Sequence, residues 1–86
     1  MQIGGMKLAD WLTQNGKSLE WLAEQVGRDA SVMSKLSSGT IRPSNEVAAR
    51  IEILTDRKVT AIDHEAAYRA RAGLDPLPEP QREVAA

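Results

Sequence analysis

The stretch Leu19–Leu36, LEWLAEQVGRDASVMSKL, constrains this chain more than any other, because it reads as two short helices meeting at a sharp corner. Ser18 precedes the first helix as an N-cap, its hydroxyl oxygen placed to accept from an orphan backbone N–H. Leu19, Leu22, Ala23 and Val26 recur at helical spacing and give an apolar face from Leu19 to about Val26. Gly27 follows where that helix has to stop, since glycine enters the left-handed region without a Cβ clash. Asp29 is placed to cap the next helix, whose Met33 and Leu36 form a buried stripe before it ends at Ser38-Gly39. The small Ala23, one turn before the glycine, lets the second helix cross closely over the first. Met33 and Leu36 plug the crossing from the other side.

The rest of the chain frames this corner. Eighty-six residues make one small domain with a modest core. Lys7–Asn15 reads as a helix burying Leu8, Trp11 and Leu12 and ended by Gly16, which makes Trp11 a core residue. Trp21 lies beside the buried stripe, either half-buried under the C-terminal segment or in contact with a partner subunit. Thr40–Pro43 is a loop, after which Ser44 caps a fourth helix through about Thr55, with Val47, Ala48, Ile51 and Leu54 facing the core. Asp56-Arg57-Lys58 is a turn and Val59 a short extended residue. Thr60-x-x-Asp63 resembles a capping box and opens a fifth helix that runs to Ala72 and stops at Gly73. Its core-facing set (Ile62, Ala66, Tyr68) is thin, and Arg69 and Arg71 are exposed. The expected fold class is all-α, a compact four- to five-helix bundle over residues 6–73. Met1–Gly5 reads as a flexible lead. Leu74–Ala86, with three prolines in five residues, reads as a disordered tail or a docking peptide that orders on binding.

Composition excludes several classes. The chain has no cysteine, so it carries no disulfide, thiolate metal site or cysteine nucleophile, and no apolar run long enough for a membrane span or signal peptide. A cytoplasmic location is expected. The aromatics are Trp11, Trp21 and Tyr68 alone, too few to stack the bases of a single strand. The lone histidine sits in Asp63-His64-Glu65, whose side chains diverge by ~100° steps on a helix and cannot converge on one metal. It reads as a solvated residue in a first helical turn. With no phosphate-loop glycines, nucleophile elbow or zinc-ligand set, no catalytic residue, metal or cofactor is assigned, and an enzyme is not expected.

The spacing of Ala23, Gly27, Met33 and Leu36, with SGTIRPS following, resembles the helix-turn-helix of the Cro and phage-repressor (Xre) family over roughly Leu8 to Leu54. Arg28 stands where that family commonly has an apolar residue, and Ser37 where it often has an acidic one. The resemblance implies that helices 2 and 3 form the motif and that helix 3, at about 30–37, enters the major groove of double-stranded DNA. Ala30, Ser31, Val32, Ser34 and Lys35 would then face the bases. Lys35 is the long donor suited to guanine O6/N7, and Ala30 and Val32 offer methyl groups to thymine. Phosphate contacts would come from Ser18, Arg28, Ser38, Thr40, Arg42 and Asn45, with Arg42 placed before the rigid Pro43 to clamp an anion.

Charge supports this weakly. Residues 1–58 carry eight Lys/Arg against seven Asp/Glu, and residues 59–86 three against five. Cations this sparse favour a homodimer that doubles the contacts, setting two recognition helices about 34 Å apart on a pseudo-palindromic operator as a repressor would. Two other readings stay open. One is a protein-interaction module, such as an antitoxin or co-regulator, binding a partner through residues 60–86. The other is the same fold without DNA binding.

Overall fold

A computed structural model describes residues 5–77, which form five α-helices: α1 (Leu8–Gln14), α2 (Leu19–Val26), α3 (Ala30–Ser37), α4 (Asn45–Leu54) and α5 (Ala61–Ala72). The described residues contain no strand, so the expected all-α bundle is found with five helices. Lys7 and Asn15 stand as caps of α1 rather than within it, Lys7 being extended at φ −71° and ψ 145°. No helix among the described residues is long and apolar enough to cross a membrane.

The core is drawn from four helices: Leu8, Trp11 and Leu12 of α1, Leu22, Ala23 and Val26 of α2, Met33 and Leu36 of α3, and Val47, Ala48 and Ile51 of α4. Burying each large aliphatic among these contributes roughly 1.5–3 kcal/mol. Leu19 and Leu54, expected inside, lie half-buried at the core's rim. Trp21 is half-buried, as one of its two readings had it, and its neighbours among the described residues are a tryptophan and a lysine. It stacks on Trp11 with ring centroids 6.1 Å apart, and the Lys17 ammonium sits 4.9 Å over its ring.

Val59, read as merely extended, is fully buried. The cause lies at the end of α4, where the buried Thr55 hydroxyl donates to the Ile51 carbonyl (2.8 Å) and accepts from the Val59 N–H (3.1 Å). Asp56 and Arg57 adopt left-handed backbone (φ 55° and 65°), which tightens the turn and drives Val59 inward.

The rotation of α5 corrects the periodic expectation. Ile62 is 69% exposed and Ala66 is also exposed, whereas His64 is 3% exposed and Ala67 and Tyr68 are half-buried. Two anchors set this rotation. The Asp63 carboxylate accepts from the Thr60 N–H (2.8 Å), as a capping box does, and from the Gly5 N–H of the incoming chain (2.9 and 3.1 Å). One turn on, Gly39 approaches the Ala67 carbonyl so closely that a Cβ would lie 2.6 Å from its oxygen. With Asp63 and Ala67 both turned towards the body, His64 is carried inside and Ile62 outside. His64 is therefore not solvated. Its Nε2 has no hydrogen-bond partner among the described residues, and burial lowers its pKa against the opposing pull of Asp63.

Beyond Gly73, left-handed at φ 73°, Leu74 N–H donates to the Arg69 carbonyl (2.9 Å) and Arg69 Nη1 to the Asp75 carbonyl (3.1 Å). Residues 74–77 thus turn back on α5. The remainder of the expected tail, 78–86, and residues 1–4 of the expected lead lie outside the described residues.

Candidate nucleic-acid interface

The corner between α2 and α3 is built as its residues require. Ser18 Oγ accepts from the Trp21 N–H at 3.0 Å, which satisfies one orphan donor and leaves the hydroxyl proton free. Gly27 is left-handed at φ 76° and ψ 36°, and its N–H and that of Arg28 both donate to the Ala23 carbonyl, at 2.8 and 3.1 Å. The last carbonyls of α2 receive guanidinium groups: Arg28 Nη1 donates to Gly27 O (3.0 Å) and Arg50 Nη1 to Val26 O (3.2 Å). Glu46 joins this pair, 2.9 Å from Arg50 and 3.7 Å from Arg28. Positive charge at a helix C-terminus is favourable, so Arg28 is drawn to the corner it was expected to leave for a phosphate.

Along α3, Met33 and Leu36 are buried while Ser31, Ser34 and Lys35 are exposed. Lys35 has no ion-pair partner among the described residues. Ala30 and Val32, expected outward, are half-buried against the core. Ala30 lies one turn before Met33 and Val32 one position before it, which puts both on the border of the buried stripe. Asp29 occupies the N-cap position, but its side chain makes no capping bond. Its carbonyl instead takes the Val32 and Met33 N–H groups, at 3.1 and 3.2 Å. The Asp29 side chain is left exposed at the end of the helix that was expected to meet the bases.

At the far end of α3, Thr40 N–H (2.8 Å) and Ser38 Oγ (3.1 Å) both donate to the Lys35 carbonyl, and the two hydroxyls bond each other at 2.8 Å. Ser38, Thr40 and Asn45 are exposed, and Asn45 opens α4 beside an apolar-edged groove of about 430 Å³ lined also by Ile62 and Leu77.

Arg42 is the main departure from the sequence reading. Its guanidinium is bidentate to Glu65 (Nε 2.8 Å, Nη2 3.1 Å) and lies 4.2 Å over the Tyr68 ring. Glu65 is gripped a second time by Arg69 Nε at 2.8 Å. These bonds, from Arg42 first and Arg69 second, lower the Glu65 pKa, and the Glu65 bond raises that of Arg42. The expected anion clamp is therefore already occupied by a carboxylate of α5. The Glu65–Arg69 spacing of four was legible as a helical ion pair. The 23-residue separation of Arg42 and Glu65 was not.

Compared with known protein families, with curated proteins and with solved structures, the chain finds no match.

Proposed function

We propose that this chain is a double-stranded-DNA-binding transcriptional regulator, most simply a cytoplasmic repressor, that sits as a homodimer on a pseudo-palindromic operator. The supporting observation is the division of α3. Its apolar stripe is sealed into the core while Ser31, Ser34 and Lys35, which has no ion-pair partner among the described residues, are exposed on a helix that starts at a glycine corner. Lys35 donates to guanine, Ser31 and Ser34 bond base edges, and the half-covered methyls of Ala30 and Val32 touch thymine at the groove edge. Ser18, Ser38, Thr40 and Asn45 supply neutral phosphate contacts. Arg28 and Arg42 join them only by loosening their hold on Glu46 and Glu65.

Selection from a random duplex pool tests the reading. Two related half-sites in dyad arrangement are expected, with centres about one helical turn apart. Lys35→Ala should relax one position per half-site at a cost of roughly 1–3 kcal/mol. Failure to enrich any sequence, with no salt-sensitive association to random duplex at low ionic strength, would remove the proposal.

A second reading, a module that binds a partner protein through residues 60–86, draws on the exposure of Ile62 (69%) and Leu74 (47%). Deleting residues 74–86 together with Ile62→Ser separates the two, because a DNA reader keeps its operator affinity without those side chains.

A further inference from the structure

A second concavity, of about 350 Å³, lies where the start of α1, the end of α3 and the C-terminal half of α5 meet. Lys7, Ser37, Ser38, Ala67, Ala70 and Arg71 line it. The two anchors described above build it. The Gly5–Asp63 bonds lay the incoming chain along α5, which brings Lys7 towards Ala67, and the Gly39–Ala67 approach presses the end of α3 onto the same turn.

Its cations differ from most of the arginines of the described residues. Arg28, Arg42, Arg50, Arg57 and Arg69 are all paired with carboxylates. Among the described residues, Lys7 and Arg71 have no ion-pair partner and no acidic residue lines the groove. Two cations beside uncharged neighbours favour an anion over a cation or an apolar group.

We propose that this groove is a phosphate-binding site in which Lys7 and Arg71 supply the charge and the donors; the Ser37 and Ser38 hydroxyls already donate to the Ser34 and Lys35 carbonyls, at 3.0 and 3.1 Å, and only line it. The phosphate belongs to the duplex backbone or is a free phosphate. The first source rests on the DNA-binding reading, in which the end of α3 runs beside the strand that its exposed face reads. In that case Lys7 and Arg71 take over the charge-neutralising role that Glu65 denies Arg42.

The full chain carrying Lys7→Gln and Arg71→Gln is compared with wild type and with a charge-matched control, Arg57→Gln with Lys58→Gln, which lies outside the groove. Both substituted groove residues are exposed, so folding is retained and circular dichroism verifies it. In the duplex arm, the slope of log K against log salt should fall by roughly 0.9 for each phosphate that is no longer neutralised, with the ratio of specific to random affinity unchanged and the control close to wild type. In the second arm, inorganic phosphate is titrated while the amide resonances of Ser37, Ser38 and Ala70 are followed. Saturable shifts in wild type that vanish in the groove variant, without a change in duplex slope, assign the site to a free phosphate. They would do so even if the chain bound no DNA at all, which separates this inference from the reading above. An unchanged duplex slope together with no saturable phosphate shifts overturns the proposal.

Discussion

Thr55 is 1% exposed, and its single hydroxyl both donates to the Ile51 carbonyl and accepts from the Val59 N–H. Thr55→Val keeps the shape and strands that N–H, so it should cost about 1–3 kcal/mol in urea unfolding, whereas Thr55→Ser keeps both bonds and should cost ~1 kcal/mol for the missing methyl. Equal losses for the two would mean that packing, not the hydroxyl, closes α4. Arg42 poses the same kind of question in charge. If it is to touch a phosphate it has to leave Glu65, so Glu65→Gln should tighten duplex binding and steepen its salt dependence, because one competing carboxylate is gone. A gel-shift titration at two salt concentrations reads both effects, and weaker binding would instead make Glu65 the residue that holds Arg42 in place. Neither side chain announced its role in the sequence. A threonine beside a turn reads as a surface residue, and an arginine before a proline reads as free until its partner 23 positions away is known.

At the scale of elements, the α2–α3 corner was legible because most of its devices are local; the Arg50 bond to the Val26 carbonyl, 24 residues away, was not. Ser18 caps three residues ahead, Ala23 and Gly27 are one turn apart, and the stripe of Met33 and Leu36 follows at helical spacing. The rotation of α5 was not legible, because it is fixed from outside by Gly5 and Gly39 and not by its own apolar pattern. A period count chose Ile62 and Ala66 for want of better hydrophobes, and tertiary contacts chose His64. The two kinds of glycine give a direct comparison. Gly27 has only the Arg50 Nη1 tip within 4 Å of a would-be Cβ (3.8 Å), so Gly27→Ala should cost only the left-handed strain of about 1–2 kcal/mol. Gly39→Ala carries the same strain at φ 80° and also drives a methyl onto the Ala67 backbone, for a total of about 2–5 kcal/mol. Chemical denaturation of the two variants orders them. A Gly39→Ala protein no less stable than Gly27→Ala would show that α5 does not press on the end of α3.

At the scale of the whole molecule, the imidazole that α5 buries has an Nε2 without a hydrogen-bond partner among the described residues, and it ties global stability to pH. Burial lowers the His64 pKa below the ordinary value of about 6.5 that it regains on unfolding. Between those two values the unfolded chain binds the proton and the folded one does not, so stability falls as the pH drops below about 6.5 and levels off under the folded-state pKa. The slope cannot exceed roughly 1.4 kcal/mol per pH unit for one group. Glu65, also lowered, works in the same direction but in a separate window. Its contribution is full above the ordinary carboxylate pKa of about 4.3 and fades only below it. Thermal midpoints measured between pH 7.5 and 5 therefore isolate the histidine. His64→Leu removes both the titration and the unpartnered Nε2, so it should flatten the curve over that range and match or exceed wild-type stability at its acidic end. If the variant and wild type instead decline in parallel over that range, the acid sensitivity does not arise at His64. The buried imidazole would then be an ordinary filler of the space between α5 and the body.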